Sequence, residues 1–374
     1  MAPPIISRIA AYGVCPETTT PQRYVGTDHP FRLSLELLHI TLDNGVEGIA
    51  STCSGWRGAP VGRIAAEAET WADALVGQDV ARVQQRLAAQ DSDTDAPRLP
   101  KGLAALLDIA LWDARTRMLG CPLHRHLGAR RDSLPAYAST PAYLSHDSYL
   151  ADVETALRLG CGAVKFHFNG DAAFDAQLVE STAAEFKGHP VRFAADLEGV
   201  YGFEEAVAMA RQLEAHGWLW VEAPFPDDRL DLYADLRRQS GIDLVAPGYD
   251  RFGRAHWVAG LSAGAWSRLR FDVSLTGMTE GLIGTSLAED FGCPIELQSF
   301  GYMPAQAANF AFMLASPRCA WFELPLPVAD FRFACRSGIK IDDKGNAVWP
   351  QGNGLGVSMD LDLISEMANR RFES

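Results

Sequence analysis

The chain has 374 residues, of which 48% are hydrophobic and 21% are charged, and this composition excludes a disordered or fibrous protein. Its 47 acidic residues outnumber its 33 lysines and arginines, and the net charge of -14 disfavours nucleic acids and membrane surfaces as partners. The seven cysteines form no C-x-x-C pair, which indicates neither a disulfide framework nor a zinc site. Together with the absence of a leader-like or long apolar run, this favours a cytoplasmic protein.

The first third of the chain has the pattern of a mixed domain. Residues 31–50 alternate apolar and polar side chains on either side of an Asp-Asn-Gly turn, which predicts a β-hairpin. Residues 64–78 and 103–120 then place apolar side chains three and four positions apart, and Gly120 is the expected end of the second helix. We therefore predict an α+β domain over residues 1–130.

From residue 131 onward, short apolar runs alternate with amphipathic helices that end at glycines, as in a repeated βα unit. The apolar runs cover residues 134–140, 163–168, 191–198, 219–225, 243–250, 268–274, 294–300 and 320–327. Eight such strands predict a closed α/β barrel over residues 131–336, with residues 337–374 as a tail that packs back on the first domain. The glycine-rich PQGNGLG in this tail follows no βα unit and opens no helix, so it does not indicate dinucleotide binding.

A polar residue interrupts the carboxyl end of all but one of these runs. The interruptions are Lys165, Asp196, Glu222, Tyr249, Asp272, Gln298 and Glu323. In a barrel the carboxyl ends of the strands surround one mouth, where catalysis takes place. An open doubly wound sheet would not bring seven strand ends to one centre. The spacing therefore predicts one site shared by these strand ends.

Five motifs in order resemble the enolase superfamily, specifically its mandelate racemase and muconate-cycloisomerase-like branch. They are ALLDIALWDARTRMLGCPLHRHLGARR, AVKFHF, AADLEG, WVEAPF and WFELPLP, and the resemblance runs from residue 32 to residue 360. It implies a modified (β/α)7β barrel with an N-terminal α+β capping domain, in a homo-oligomer. It also implies that a divalent cation binds a substrate carboxylate, a base removes the proton from the adjacent carbon, and the metal stabilises the resulting enediolate.

The resemblance assigns roles to the first strand ends. Lys165 and His167 are two positions apart and face the same side of their strand. The resemblance makes Lys165 the base or the group that tunes a neighbouring base, and a histidine at position 167 can itself be a base near neutral pH. Asp196 and Glu222 match the first and second metal-ligand positions, and their oxygens suit magnesium.

Two positions depart from the family pattern. Tyr249 stands where the third metal ligand is expected, so Glu198 or Asp250 would complete the site, or the metal site is weak or lost and Tyr249 is an acid or hydrogen-bond donor. Gln298 stands at the position of a catalytic histidine whose partner, Asp272, remains. Because glutamine cannot transfer protons, a two-base racemase is disfavoured, and a single base group suits dehydration.

The remaining site residues are also assigned by the resemblance. Glu323 matches a position that donates a hydrogen bond to the substrate carboxylate. Two capping-domain loops, residues 18–29 and 51–60, would cover the mouth and bind the distal end of the substrate. Their candidate contacts are Tyr24, His29, Trp56 and Arg57, with Gln298 from the barrel. The spacing of His124 and His126 fits no complete metal set, so we interpret this pair as structural.

The sequence thus predicts a magnesium-dependent lyase that dehydrates a hydroxylated carboxylate, with a sugar acid as the expected class. Its partner would be this small carboxylate. Two alternatives remain open. One is an isomerase or lyase of the same fold that works without metal, and the other is a barrel that binds a small acid without catalysis.

Overall fold

The computed structural model describes residues 3–18, 22–23, 30–31, 33–54, 60–89, 98–248 and 253–374. The N-terminal strands are β1 (Ile6–Val14), β2 (Gln22–Arg23), β3 (Pro30–Phe31), β4 (Ser34–Leu42) and β5 (Glu47–Ser54). The helices that follow are α1 (Arg63–Leu75), α2 (Val80–Ala89), α3 (Lys101–Met118) and α4 (Leu123–His126). The predicted hairpin is β4 and β5, and its turn closes with a 2.8 Å hydrogen bond from the Leu42 N–H to the Val46 carbonyl.

The middle of the chain alternates strands and helices. They are β6 (Ser133–Ser139), α5 (His146–Arg158), β7 (Ala163–His167), α6 (Ala172–Glu185), β8 (Arg192–Asp196), α7 (Phe203–Ala215), β9 (Trp220–Glu222), α8 (Leu230–Arg237), β10 (Asp243–Val245), α9 (Arg254–Ser262), β11 (Leu269–Phe271), α10 (Val273–Thr276), α11 (Met278–Asp290), β12 (Ile295–Leu297), α12 (Met303–Ala315) and β13 (Phe322–Pro325). Each of the eight predicted apolar runs overlaps one of the strands β6 to β13, and β6 begins one residue before its run.

These strands form a barrel. Strands β6 to β10 pair in parallel in chain order, β11 pairs with β12, and β13 returns to pair in parallel with β6. A bridge between Val245 and Arg268 connects β10 to the chain before β11, and the Ile295 N–H bonds to the Arg318 carbonyl between β12 and β13. The predicted α/β barrel under an N-terminal capping domain is thus confirmed.

The last part of the chain contributes to both sheets. It contains a 3-10 helix (Asp330–Arg332), β14 (Cys335–Ser337), β15 (Lys340–Ile341), β16 (Asn346–Val348), β17 (Ser358–Met359), α13 (Leu361–Met367) and β18 (Arg370–Glu373). Strand β16 pairs antiparallel with β6 of the barrel. Strand β18 pairs antiparallel with β1, which gives the capping sheet the order β18-β1-β4-β5.

Helix α3 joins the capping sheet to the rest of the protein. It lies so close to β5 that a Cβ atom on Gly48 would come within 2.0 Å of the Ala110 carbonyl oxygen, so a glycine is required there. The buried Asp113 carboxylate accepts hydrogen bonds from the Ile49 N–H of β5 at 3.0 Å and from the Leu355 N–H of the tail at 2.7 Å. Asp108, one and a half turns earlier, accepts the Thr279 N–H of α11 at 2.8 Å. These contacts fix the capping domain over the barrel.

No helix in the described part of the chain is both long and apolar enough to cross a membrane. All seven cysteines are free thiols, as expected from their scattered positions.

Arg131 closes the carboxyl end of α12, and its removal should destabilise the fold. Its guanidinium donates to the carbonyls of Met313, Leu314, Ser316 and Cys319 at 2.6 to 3.2 Å. We expect Arg131→Met to lower the free energy of unfolding by about 3 kcal/mol, because it removes a charged donor from several helix-end acceptors. Urea denaturation measures this loss. Arg130→Met is the matched control, since Arg130 is exposed, and equal stability of the two variants would contradict the prediction.

Candidate active site

The floor of the barrel mouth is a layer of apolar and aromatic side chains. These are Tyr137, Ala163, Ala194, Trp220 and Val245, one from each of strands β6 to β10. Because side chains on a strand alternate between its two faces, the residue two positions later faces the same interior. Polar groups therefore lie directly above this floor at positions 165, 196 and 222.

Lys165 lies at the centre of this polar layer and is fully buried. Its Nζ atom is 2.9 Å from Glu222 Oε2, 2.9 Å from Glu323 Oε1 and 3.9 Å from Asp196 Oδ2. Burial and the nearby arginine at position 270 favour the neutral amine, but the three carboxylates outweigh them and raise the pKa of Lys165 above its ordinary value. The side chain is thus held as an ammonium ion.

Arg270, which the sequence analysis did not identify, is the second cation of this layer. It is 1% exposed, with Nε 2.9 Å from Glu222 Oε1 and Nη2 3.4 Å from Glu323 Oε2. Lys165, Arg270, Glu222 and Glu323 form what we call the four-charge cluster. The positive charges of the two cations cancel the negative charges of the two carboxylates. Each charge can be buried because its partners are present. The sequence contained a signal that could have identified Arg270. This residue lies two positions before Asp272 and so faces the barrel interior.

Glu323 is ionised in this cluster. Burial raises the pKa of a carboxyl group, but the Lys165 and Arg270 charges and the Ser299 N–H, at 2.9 Å from Oε2, hold the pKa of Glu323 well below its usual range. A carboxylate without a proton accepts hydrogen bonds and cannot donate one. This differs from the donor role expected for Glu323, because the two cations lie beside it.

His167 is 6% exposed and has a defined tautomer. Its Nδ1 atom is hydrogen-bonded to the Thr140 carbonyl, and since a carbonyl only accepts, Nδ1 carries the hydrogen and Nε2 carries a lone pair. Nε2 lies 3.5 Å from Asp196 Oδ2 and 3.7 Å from Glu198 Oε1. Burial and the Lys165 charge lower the pKa of His167 to about 4, so the imidazole is uncharged at neutral pH.

Asp196 and Glu198 face this imidazole. The Glu198 N–H donates to Asp196 Oδ1 at 2.9 Å, and Glu198 has a left-handed backbone with φ at +57°. In the described residues, His167, Asp196 and Glu198 form the group in which three possible ligand atoms lie within 4.8 Å of one another. The two carboxylates supply oxygen donors that fit a divalent cation, and the His167 ring lies beside them. The residues present therefore fit a metal ion at this place.

The other predicted residues have the following positions. Asp272 starts α10 and accepts hydrogen bonds from the Ser274 N–H at 2.8 Å and from Asn309 Nδ2 at 2.7 Å. Gln298 follows β12 directly and is buried. Both lie at the carboxyl ends of their strands, with the other site residues. Six predicted residues lie outside the described residues, namely Tyr24, His29, Trp56, Arg57, Tyr249 and Asp250.

His124, interpreted as structural, contacts residues remote from this site. Its Nε2 atom is 2.7 Å from Asp132 Oδ1, and its ring lies 4.3 Å from that of Trp349. The structure thus brings together six of the predicted residues. They are Lys165, His167, Asp196, Glu198, Glu222 and Glu323.

Relatives with named activities match about two thirds of the chain. An arabinonate dehydratase from Saccharolobus solfataricus is 29% identical over 272 residues, which are 70% of this chain and 70% of the relative. A D-galactonate dehydratase from Ralstonia nicotianae is 31% identical over 274 residues, which are 68% of each chain.

Two solved structures share the fold. A protein from Pseudovibrio sp. described as a mandelate racemase/muconate lactonizing enzyme superimposes with a TM-score of 0.93, at 28% identity and 99% coverage of both chains. An L-talarate/galactarate dehydratase from Salmonella typhimurium, solved with Mg and L-lyxarohydroxamate, gives 0.87 at 19% identity, covering 100% of this chain and 95% of that one.

Two family models match the two structural parts of the chain. The N-terminal domain model of mandelate racemase and muconate lactonizing enzymes matches residues 11–128. The enolase C-terminal domain-like model matches residues 148–363, more than half of the chain. The strand-end carboxylates and the barrel strands β7 to β13 fall within the second match, whereas β6 lies between the two matches and β18 lies beyond them. The chain therefore belongs to the mandelate racemase/muconate lactonizing enzyme branch of the enolase superfamily.

Proposed function

We propose that the protein is a lyase that removes water from a sugar acid, starting with loss of the proton next to the carboxylate. The observation that carries this proposal is the uncharged His167 imidazole, whose Nε2 lone pair points into the carboxylate-lined mouth. Relatives that are named as arabinonate and D-galactonate dehydratases support sugar acids as the substrate class.

In this proposal His167 is the base. The Thr140 carbonyl fixes the imidazole so that Nε2 faces the mouth, and the low pKa keeps that nitrogen free of a proton at neutral pH. Lys165 does not act as the base, because three carboxylates hold its proton. Its ammonium charge instead keeps His167 uncharged.

A divalent cation bound beside Asp196 would neutralise the substrate carboxylate and the enediolate charge when bound, and magnesium is present in the related talarate/galactarate dehydratase structure. Asp196 is buried and faces the base, so proton removal and charge stabilisation would take place on the same substrate.

Dehydration needs a proton for the departing hydroxyl group, and His167 can supply it. After Nε2 has taken the α-proton, the imidazolium is a strong acid because burial and Lys165 disfavour its charge. Transfer of that proton to the β-hydroxyl breaks the C–O bond and releases water, and the enol that remains becomes a 2-keto acid. Gln298, at the position where the resemblance expects a catalytic histidine, cannot carry a proton, which favours elimination over racemisation.

Incubation with a panel of aldonic and aldaric acids in deuterated water and Mg²⁺ tests this function. We expect at least one acid to give a 2-keto product that carries solvent deuterium at C3, seen by NMR. Binding of an acid without product formation would instead support a barrel that has no catalysis. Product formation that continues undiminished in His167→Asn would contradict the base assignment.

A further inference from the structure

We propose that the protein has a second small-molecule site, on the outside of the barrel, which binds a carboxylate that has an apolar body and one hydroxyl group. The site is a cavity of 330 Å³ between β13, α12 and the tail, which we call the outer cavity. It is separate from the barrel mouth. Leu324 in its wall follows Glu323 on the same strand, so the two side chains point to opposite faces of β13.

The outer cavity lies where a regular barrel would have an eighth helix. Each strand from β6 to β12 is followed by a helix, and β13 pairs directly with β6. After β13 the chain instead continues as a 3-10 helix and short strands, and its next α-helix, α13, packs against β1 of the capping sheet. An α-helix with its side chains is about 10 Å across, and an extended segment is thinner. Space is therefore left between the tail and the outer face of β13.

Most of the wall of the outer cavity is apolar. The apolar side chains come from the end of α5, from α12, from β13 and from the tail, and they include Leu159, Met303, Leu324, Val328, Phe331 and Ile339. Met303 and Leu324 are 3% and 4% exposed, because other core residues pack behind them. The cavity is thus built into the core packing, and the apolar part of a ligand would be stabilised there by leaving water.

Two cations, Arg332 and Lys340, line the same cavity. Arg332 Nη1 donates to the Ile339 carbonyl at 2.9 Å, which brings the guanidinium beside the residue that precedes Lys340. Within the described part of the chain neither cation forms an ion pair, whereas Arg336 of the same segment pairs with Asp360 at 3.0 Å. In a protein with a net charge of -14, two cations left unpaired at an apolar cavity indicate an anionic ligand.

Gln306 of α12 supplies a third polar contact. It is 3% exposed and lines the outer cavity, and its Nε2 atom donates to the Gly301 carbonyl at 2.5 Å. That hydrogen bond fixes the orientation of the amide and leaves Oε1 as an acceptor, to which no donor among the described residues is bound. A buried acceptor without a donor costs free energy, so a hydroxyl group on the ligand would be bound favourably. The cavity therefore fits a hydroxylated acid with an apolar body.

Ligand-observed NMR titration of the full-length protein with 4-hydroxyphenylacetate, without added metal, tests this site. We expect saturable binding of this acid. Phenylacetate lacks the hydroxyl group and should bind about 5-fold more weakly, because one hydrogen bond is lost. Tyramine, which has an ammonium group in place of the carboxylate, should not bind. The absence of saturable binding of 4-hydroxyphenylacetate by the wild type would overturn the proposal, as would equal binding of tyramine.

Three variants locate the bound acid. Gln306→Leu removes the acceptor, so the two acids should bind it equally. Arg332→Met should weaken the binding of both acids by ~10-fold, and Arg336→Met is the matched control that should leave it unchanged. Val328→Trp, at a half-buried wall position, fills the cavity and should abolish binding. Circular dichroism checks that each variant is folded.

The proposal would be wrong if the preference for the hydroxylated acid persisted in folded Gln306→Leu, or if folded Val328→Trp bound the acid as the wild type does. Self-association that is lost in Val328→Trp, together with no binding of the acid, would assign the cavity to a second copy of this chain and would also overturn it. The proposed dehydration is independent of all these outcomes, because none of the three variants alters the barrel mouth.

Discussion

Lys165→Met is expected to lower the free energy of unfolding by about 4 kcal/mol, the largest stability loss that we predict for a single substitution. The methionine fills the volume of the lysine stem but leaves Glu222 and Glu323, both fully buried, with Arg270 as the remaining cation of their cluster. A buried carboxylate that loses its partner keeps the full cost of leaving water. Urea denaturation at neutral pH measures the loss.

Lys187→Met is the matched control, because Lys187 is exposed and its replacement should change stability little. The pH dependence gives a second readout. Glu323 has a folded-state pKa below its ordinary value of 4.5, so its stabilising contribution is present above pH 4.5 and is lost as the pH falls. Without Lys165 that pKa is less depressed, so the acid-induced loss attributable to Glu323 should shrink. Identical stability of the two methionine variants at neutral pH would contradict the assigned role of Lys165.

His167→Asn is expected to reduce kcat for dehydration by about 1000-fold while the protein stays folded, because it removes the base and proton carrier. The asparagine side chain still offers an N–H near the Thr140 carbonyl, so the change is chemical more than structural. Deuterium incorporation at C3 of the 2-keto product, measured with the acid that the panel identifies, should fall in parallel. His126→Asn, at an exposed histidine of α4, is the control and should retain activity.

The pH profile of the wild type adds an independent check on His167. A base works only when it is unprotonated, so kcat/KM should fall as the pH falls through the pKa of His167. Because burial and the Lys165 charge lower that pKa to about 4, the acid limb should lie nearer pH 4 than the ordinary histidine value of 6.5. An acid limb at 6.5 would show that the imidazole is not in the buried, cation-flanked environment described above.

The sequence was sufficient to locate the barrel strands and their polar ends, because strand alternation and βα spacing are local properties. Lys165, His167, Asp196 and Glu222 were found in this way, and they do lie together. Arg270 was missed because its importance depends on which strands face one another across the barrel interior. The chain order of strands does not give those distances. Helix α2 was also missed, since a ten-residue amphipathic segment beside a polar break is a weak local signal.

The ionisation of Glu323 could not be predicted from the sequence, for a related reason. A glutamate at a strand end can donate or accept, and the choice is made by charges that come from β7 and β11, remote in sequence. The left-handed conformation of Glu198 could not be predicted either, because a non-glycine residue at φ +57° is held by its surroundings and not by its own preference.

The pairing of β1 with β18 ties the order of synthesis to the order of assembly. Strand β1 leaves the ribosome before any barrel strand, whereas its neighbour β18 follows the last one. Throughout that interval one edge of the nascent capping sheet lacks its partner and can attract other strands. Completion of this domain must therefore wait for translation of the barrel, which couples the two units during biogenesis even though each has its own sheet.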